Sequence, residues 1–103
     1  PLAQWQAWRA ARGSEALLVD SLSHAAWLAS RFPGLSPLSQ LNPDSYRQAR
    51  AASSSSPLAG LPVAVKDMID VAGLPTLSLP APVPTPSARD AAIVARLRAL
   101  GAV

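Results

Sequence analysis

The chain contains no cysteine. Disulfides, thiolate metal sites and a cysteine nucleophile are excluded together. It has a single histidine, His24, so no two-histidine metal site can form within it. Charge is sparse at 15% of 103 residues, and lysine occurs once, at Lys66. Eight of the nine basic residues are arginine, scattered at 9, 12, 31, 47, 50, 89, 96 and 98. No basic cluster forms, and the few aromatics (Trp5, Trp8, Trp27, Phe32, Tyr46) are not interleaved with one. A nucleic-acid surface is therefore unsupported despite a pI of 10.7. No apolar run approaches the roughly 20 residues that cross a bilayer. Neither a nucleic-acid nor a membrane partner is expected, and no cofactor or metal.

Half of the residues are hydrophobic, which argues against disorder, and the length suits one small domain. Residues 2–12 are good helix formers, stopped by Gly13, with Trp5 and Trp8 three apart on one face in a core or interface role. Ser14 can cap a second helix with Glu15 in its first turn. Leu18, Leu22, Ala25, Ala29 and Phe32 recur along it at helical spacing before Pro33-Gly34. His24 lies beside that face and reads as a packing or surface residue. Asn42 or Asp44 can cap a short helix reaching Ala52. Ser53–Ser56 reads as a flexible linker.

The character changes at Gly60. Leu61-Pro62-Val63-Ala64-Val65 is short, apolar and β-branched, which predicts a buried strand over 63–65. Alternating prolines at 80, 82, 84 and 86 predict an extended connection. Asp90 is positioned to cap a helix over 91–100, with Ile93, Val94, Leu97 and Leu100 on one face and Arg96 and Arg98 pointing away. Gly101 stops it, and Ala102-Val103 reads as the first residues of another strand. Strand, connection, helix and incipient strand suggest an unfinished βαβ crossover. Residue 1 is proline rather than methionine, no basic n-region followed by an apolar h-region marks a signal peptide, and a cytoplasmic setting is expected.

Lys66 stands at the C-terminal end of the expected strand, where α/β proteins place ligand sites. One reading is a desolvated amine able to move protons or attack a carbonyl. The others are an ion pair with Asp67 or Asp70, or a stem lying over the sheet with its amine in water. Asp67 and Asp70 themselves suit turn and capping roles better than acid catalysis.

The run Pro57-Leu58-Ala59-Gly60-Leu61-Pro62-Val63-Ala64-Val65-Lys66-Asp67-Met68-Ile69-Asp70-Val71-Ala72-Gly73-Leu74-Pro75-Thr76 closely resembles the N-terminal block of the amidase-signature family. That family includes amidases, ureide hydrolases and the A subunit of glutamyl-tRNA amidotransferase. Arg89–Ala102 resembles the family's next helix, in the family's order and at about its spacing. The resemblance implies an α/β fold, a mixed sheet covered by helices, of which this chain is an N-terminal fragment of helices and loops with one clear strand. It also implies that residues 1–103 belong to one amidase domain. A helical segment over 1–34, a loop, short helix and Ser-rich linker over 35–60, and strand, Pro-rich connection and helix over 61–103 make up the expected organisation.

By the same resemblance Lys66 is the catalytic lysine of a Ser–cis-Ser–Lys triad that cleaves C–N amide bonds of a small-molecule substrate. The chain then supplies the lysine only and is inactive alone, needing the remainder of the domain or another subunit. Two departures stand out. The triad serines of the family lie in a Gly/Ser-rich segment beyond this helix, and the Ser53–Ser56 run lies upstream and lacks the glycines. After Pro75-Thr76 the family usually continues Thr-x-Gly-Ser, whereas here Leu77-Ser78-Leu79 leads into the prolines. The alternative reading is a non-catalytic module that docks through its amphipathic helices.

Overall fold

A computed structural model describes residues 1–77 and 83–103. Of the alternating prolines, Pro80 and Pro82 lie outside those residues, as do Ser78 and Leu79 of the atypical segment. Four helices follow one another: α1 (Leu2–Arg12), α2 (Ser14–Arg31), α3 (Ser45–Ala51) and α4 (Ala92–Ala99).

Helix α1 ends where Gly13 turns to φ 87°, a left-handed value that costs glycine nothing. The Gly13 N–H donates to the Arg9 carbonyl at 2.7 Å. The same glycine is the N-cap of α2. Ser14 therefore does not cap: it is already helical, and its Oγ donates across to the Ala59 carbonyl at 3.4 Å. Glu15 does fall in the first turn of α2, where it pairs with Arg50 of α3 at 3.4 Å.

The buried apolar residues among those described are Leu17 and Leu18 of α2, Ala49 of α3, Ala59, and Val94 of α4. The expected stripe on α2 is buried only at its N-terminal end. Leu18 is covered, Leu22 and Ala25 are half-buried, and Ala29 and Phe32 are exposed. The cause is spatial, because Ala59 and α3 meet the first turn of α2 through Ser14 and Glu15, and its last turns are mostly exposed. Trp8 and Trp27 are likewise exposed, while Trp5 is half-buried beneath the Arg9 guanidinium, 5.5 Å from the ring centre.

Asp44 occupies the N-cap of α3 but makes no side-chain cap bond. Its carboxylate pairs with Arg47 at 2.9 Å, and the Asn42 side chain accepts the Asp44 N–H at 3.0 Å. The serine run closes into a turn through Ser56 N–H to Ser53 O, 3.0 Å. Helix α1 grips this turn from outside: Arg9 donates to the carbonyls of Ser54 (3.2 Å) and Ala59 (3.1 Å), and Gln6 to that of Pro57 (3.2 Å).

Residues 61–66 are extended, but the expected strand over 63–65 is not formed as a ladder strand. The Val63 N–H donates to Val103 O and the Val103 N–H to Leu61 O, both at 2.8 Å. That alternation is the parallel pattern, so the crossover through α4 does bring the two segments side by side. Ala64 and Val65, beyond this pairing, are exposed. The chain is accordingly mostly helical. Among the described residues, bridges occur singly, Ala72 with Ser87 (parallel) and Pro75 with Pro86 (antiparallel).

Helix α4 stops at Gly101, φ 93°, as its sequence predicts. Asp90 is not its cap; Ala91 holds that position without a side-chain bond. Val94 and Leu97 face inward, but Ile93 is 61% exposed because the face turned to the body is centred one position on. Arg98 does not point away; it pairs with Asp90 at 3.1 Å.

Gly60 carries a sharp constraint. Its φ is 71°, and a Cβ there would stand 2.4 Å from the Cβ of Ser14. Gly60→Ala should destabilise the natural protein by about 2 kcal/mol or more through strain and clash together. Gly34→Ala, with open space at a similar φ of 88°, should cost only about 1–2 kcal/mol. Urea midpoints of the two variants would check the ordering.

Candidate active site

Lys66 ends the extended segment. Its carbonyl accepts the Ile69 N–H at 2.9 Å, closing a turn over 66–69. The side chain is exposed, so the burial expected at a strand end is not supplied by these residues. The reason is the short pairing described above: a segment with one partial neighbour has no sheet to sink into.

The ion-pair alternative also fails. Among the described residues Lys66 belongs to none of the four salt bridges. The two carboxylates nearest in sequence are engaged elsewhere. Asp67 accepts from the Gln40 side-chain amide at 3.3 Å and keeps a further contact besides. Asp70 accepts from the Thr76 hydroxyl and, at 3.2 Å, from Ser87, and those two hydroxyls lie 3.2 Å apart. Both aspartates thus bond to side chains across the loops rather than through the turn or capping contacts expected of them.

Lys66 lines a cleft of about 660 Å³ between α2, the 36–42 loop, the 62–67 segment and α4. Its walls are largely apolar, with Leu18, Leu22, Val63 and Leu97 among them. Polar residues line it as well, notably Gln40, Asp67 and Lys66. A mostly apolar concavity with a few convergent polar groups is the usual form of a small-molecule site. His24 reaches the same cleft but is exposed and stacks on Trp27, ring centres 5.8 Å apart, which fits a surface role. Among the described residues, no three of His, Asp and Glu come together as a metal site.

The segment after Lys66 is pinned to the start of α4. The Ala91 N–H donates to Asp70 O at 2.9 Å, and the Asp90 carboxylate accepts the Ala72 N–H at 2.7 Å. The Gly73 N–H donates to the Ser87 carbonyl at 2.9 Å. These contacts stand where the helix cap was expected, and they explain why Asp90 cannot also cap: one oxygen serves Ala72 and the other Arg98. Gln40 and Ser87 were not singled out in the sequence, and Arg98 was read there only as pointing away from its helix face. Each bonds to residues at least eight positions away, and neither periodicity nor local motif signals such a contact.

The sequence model of the family described as Amidase matches residues 36–103. That span is about two thirds of the chain, and the chain belongs to the Amidase family. Among curated proteins it is similar to the "Putative amidase AmiA2" of Mycobacterium tuberculosis and of Mycobacterium bovis, 48% identical over 54 residues. The match covers 52% of this chain and 11% of each relative, so this chain corresponds to a small part of their length. No solved structure matches it significantly. No helix among the described residues is long and apolar enough to cross a membrane.

Asp90 is nearly enclosed, with its side chain 16% exposed. Asp90→Ala should destabilise the natural protein by about 1–3 kcal/mol, because it strips partners from both the Ala72 N–H and Arg98. Asp90→Asn should cost less, since its amide oxygen can still accept from Ala72. Equal losses for the two variants in chemical denaturation would show that the backbone contact contributes nothing.

Proposed function

We propose that the natural protein carrying this chain is a cytoplasmic amidase that cleaves a C–N amide bond of a small-molecule substrate, and that this chain contributes its catalytic lysine, Lys66. The observation that carries the reading is the state of that side chain. It lines an apolar cleft and has no salt bridge among the described residues, while Asp67 and Asp70 are bonded to other groups. Family membership supplies the reaction class.

In the proposed mechanism the neutral Lys66 amine accepts a proton through a cis-peptide serine from the nucleophilic serine. That serine attacks the amide carbonyl, the relayed proton leaves with the amine product, and water hydrolyses the acyl-enzyme to the acid. Both serines come from polypeptide outside these 103 residues. The Lys66 side chain is exposed here, and the cover that the relay needs comes from the same polypeptide.

Lys66→Ala in the natural protein should lower kcat/KM for amide hydrolysis roughly 1,000-fold or more with an unchanged circular dichroism spectrum. Retention of turnover within a few-fold of the parent would remove the lysine from the mechanism. The peptide 1–103 by itself should release no acid or amine product above background. Turnover by that peptide, lost on Lys66→Ala, would contradict the view that it supplies the lysine alone.

A second reading, a non-catalytic docking module, is favoured by one feature only: Trp8, Trp27 and Phe32 are each more than half exposed on α1 and at the end of α2. It predicts a natural protein without amidase activity whose partner binding is lost on Trp27→Ala.

A further inference from the structure

The Lys66 side chain is exposed and belongs to no salt bridge among the described residues, so its position is set by the backbone that carries it. Three residues upstream, the Val63 N–H is bonded to Val103 O, just past the C-terminal end of α4. Four residues downstream, beyond the 66–69 turn, the Asp70 carbonyl accepts the Ala91 N–H at 2.9 Å, at the N-cap of the same helix. The lysine is thus borne on a short segment held at both ends of α4, whose eight residues make a stiff spacer about 12 Å long.

The downstream hold centres on Asp70. Its Oδ1 accepts the Thr76 hydroxyl and, at 3.2 Å, that of Ser87, and the two hydroxyls lie 3.2 Å apart. Ser87 is bound to the same arm by its backbone as well, donating to Leu74 O at 3.0 Å and accepting from the Gly73 N–H at 2.9 Å. Asp70 therefore holds the start of α4 through its carbonyl, and ties the 70–76 arm to the 86–91 arm through its carboxylate. A carboxylate suits the task, because it only accepts and its hydrogen bonds are roughly twice as strong as neutral ones. Ile69 and Val71 line the cleft, whereas Asp70, Thr76 and Ser87 do not. Whatever the three do for the reaction, they do through the segment that bears Lys66.

We infer that Asp70, with Thr76 and Ser87 as its donors, is a positioning residue for amide hydrolysis: it fixes the downstream end of the lysine-bearing segment against α4, and so sets where the Lys66 amine stands in the cleft. This rests on Lys66 being the catalytic amine. The cost of losing the hold is geometric, since a displacement of about 1 Å in a reacting group can lower a rate about 100-fold.

The test measures kcat and KM of the natural protein on the primary amide it turns over fastest among propionamide, benzamide and phenylacetamide, read as ammonia release. The temperature is one at which circular dichroism shows every variant folded. Thr76→Val keeps the shape of the side chain and removes one donor, and Ser87→Ala removes the other. Each should lower kcat about 10-fold and leave KM within about 2-fold of the parent, because neither residue lines the cleft. Thr76→Ser keeps a hydroxyl and should retain kcat within about 2-fold. In the double variant the two losses should fall short of multiplying, because both act through one carboxylate. Gly34→Ala breaks none of these bonds and should keep the parent's kcat, which separates loss of position from loss of stability.

A parent-like kcat in either Thr76→Val or Ser87→Ala, a Thr76→Ser as impaired as Thr76→Val, losses confined to KM, or an equal fall of kcat in Gly34→Ala would each overturn the inference. Lys66→Ala in the same assay separates the two levels. An active Lys66→Ala removes the catalytic lysine itself, whereas an inactive one beside a parent-like Thr76→Val removes only the role of Asp70.

Discussion

The arrangement of the site rests on one strip of backbone pairing, where residues 58–63 run alongside 100–103. Leu58, Gly60 and Val63 donate to Leu100, Gly101 and Val103 at 3.0, 2.7 and 2.8 Å, and Val103 returns a bond to Leu61. This strip joins two stretches of chain some forty residues apart. It sets the level at which Lys66 leaves the extended segment and the side on which α4 covers the cleft. Two glycines make the close approach possible. At Gly60 and Gly101 a side chain would collide with Ser14 and with the 56–59 turn respectively, and both have positive φ.

Around this strip the molecule relies on directed polar contacts more than on buried volume. Few apolar side chains are fully covered, whereas Arg9, Gln40, Asp70 and Asp90 each join segments distant in sequence through two or more bonds. Net hydrogen bonds contribute about 1 kcal/mol each, but a broken one that leaves a partner buried costs more. Such a structure is specific in geometry for a modest total stability.

What could be read in the residues follows from this. Helices α1 to α4 were legible because local composition and glycine stops decide them, and the boundaries expected at Gly13, Pro33 and Gly101 hold. Capping was misjudged for Ser14 and Asp90, since each side chain found a distant carbonyl, amide or guanidinium in preference to its own helix end. The strand over 63–65 was misjudged for a related reason. An apolar, β-branched run states a preference for extension, which is present, but a ladder requires a neighbour that the run does not encode. Lys66 was singled out through the family pattern around it, while its exposure and the company of Gln40 were not legible, because both depend on which loops cross the cleft.

Helix α1 contributes no fully buried residue and joins α2 through a single glycine with open space around it. Side chains attach it at two places: Gln6 and Arg9 grip the 54–59 turn, with Trp5 stacked beneath Arg9, and Arg12 pairs with Asp20 of α2. Tolerance to sequence change should therefore be very uneven along this helix. Most of its surface is free to drift so long as helix formers are kept, and four anchoring positions, Trp5, Gln6, Arg9 and Arg12, carry most of its message to the rest of the chain. The helix is in effect a clip, closed on a turn by two side chains, and it lies wholly outside the span over which the family is recognised.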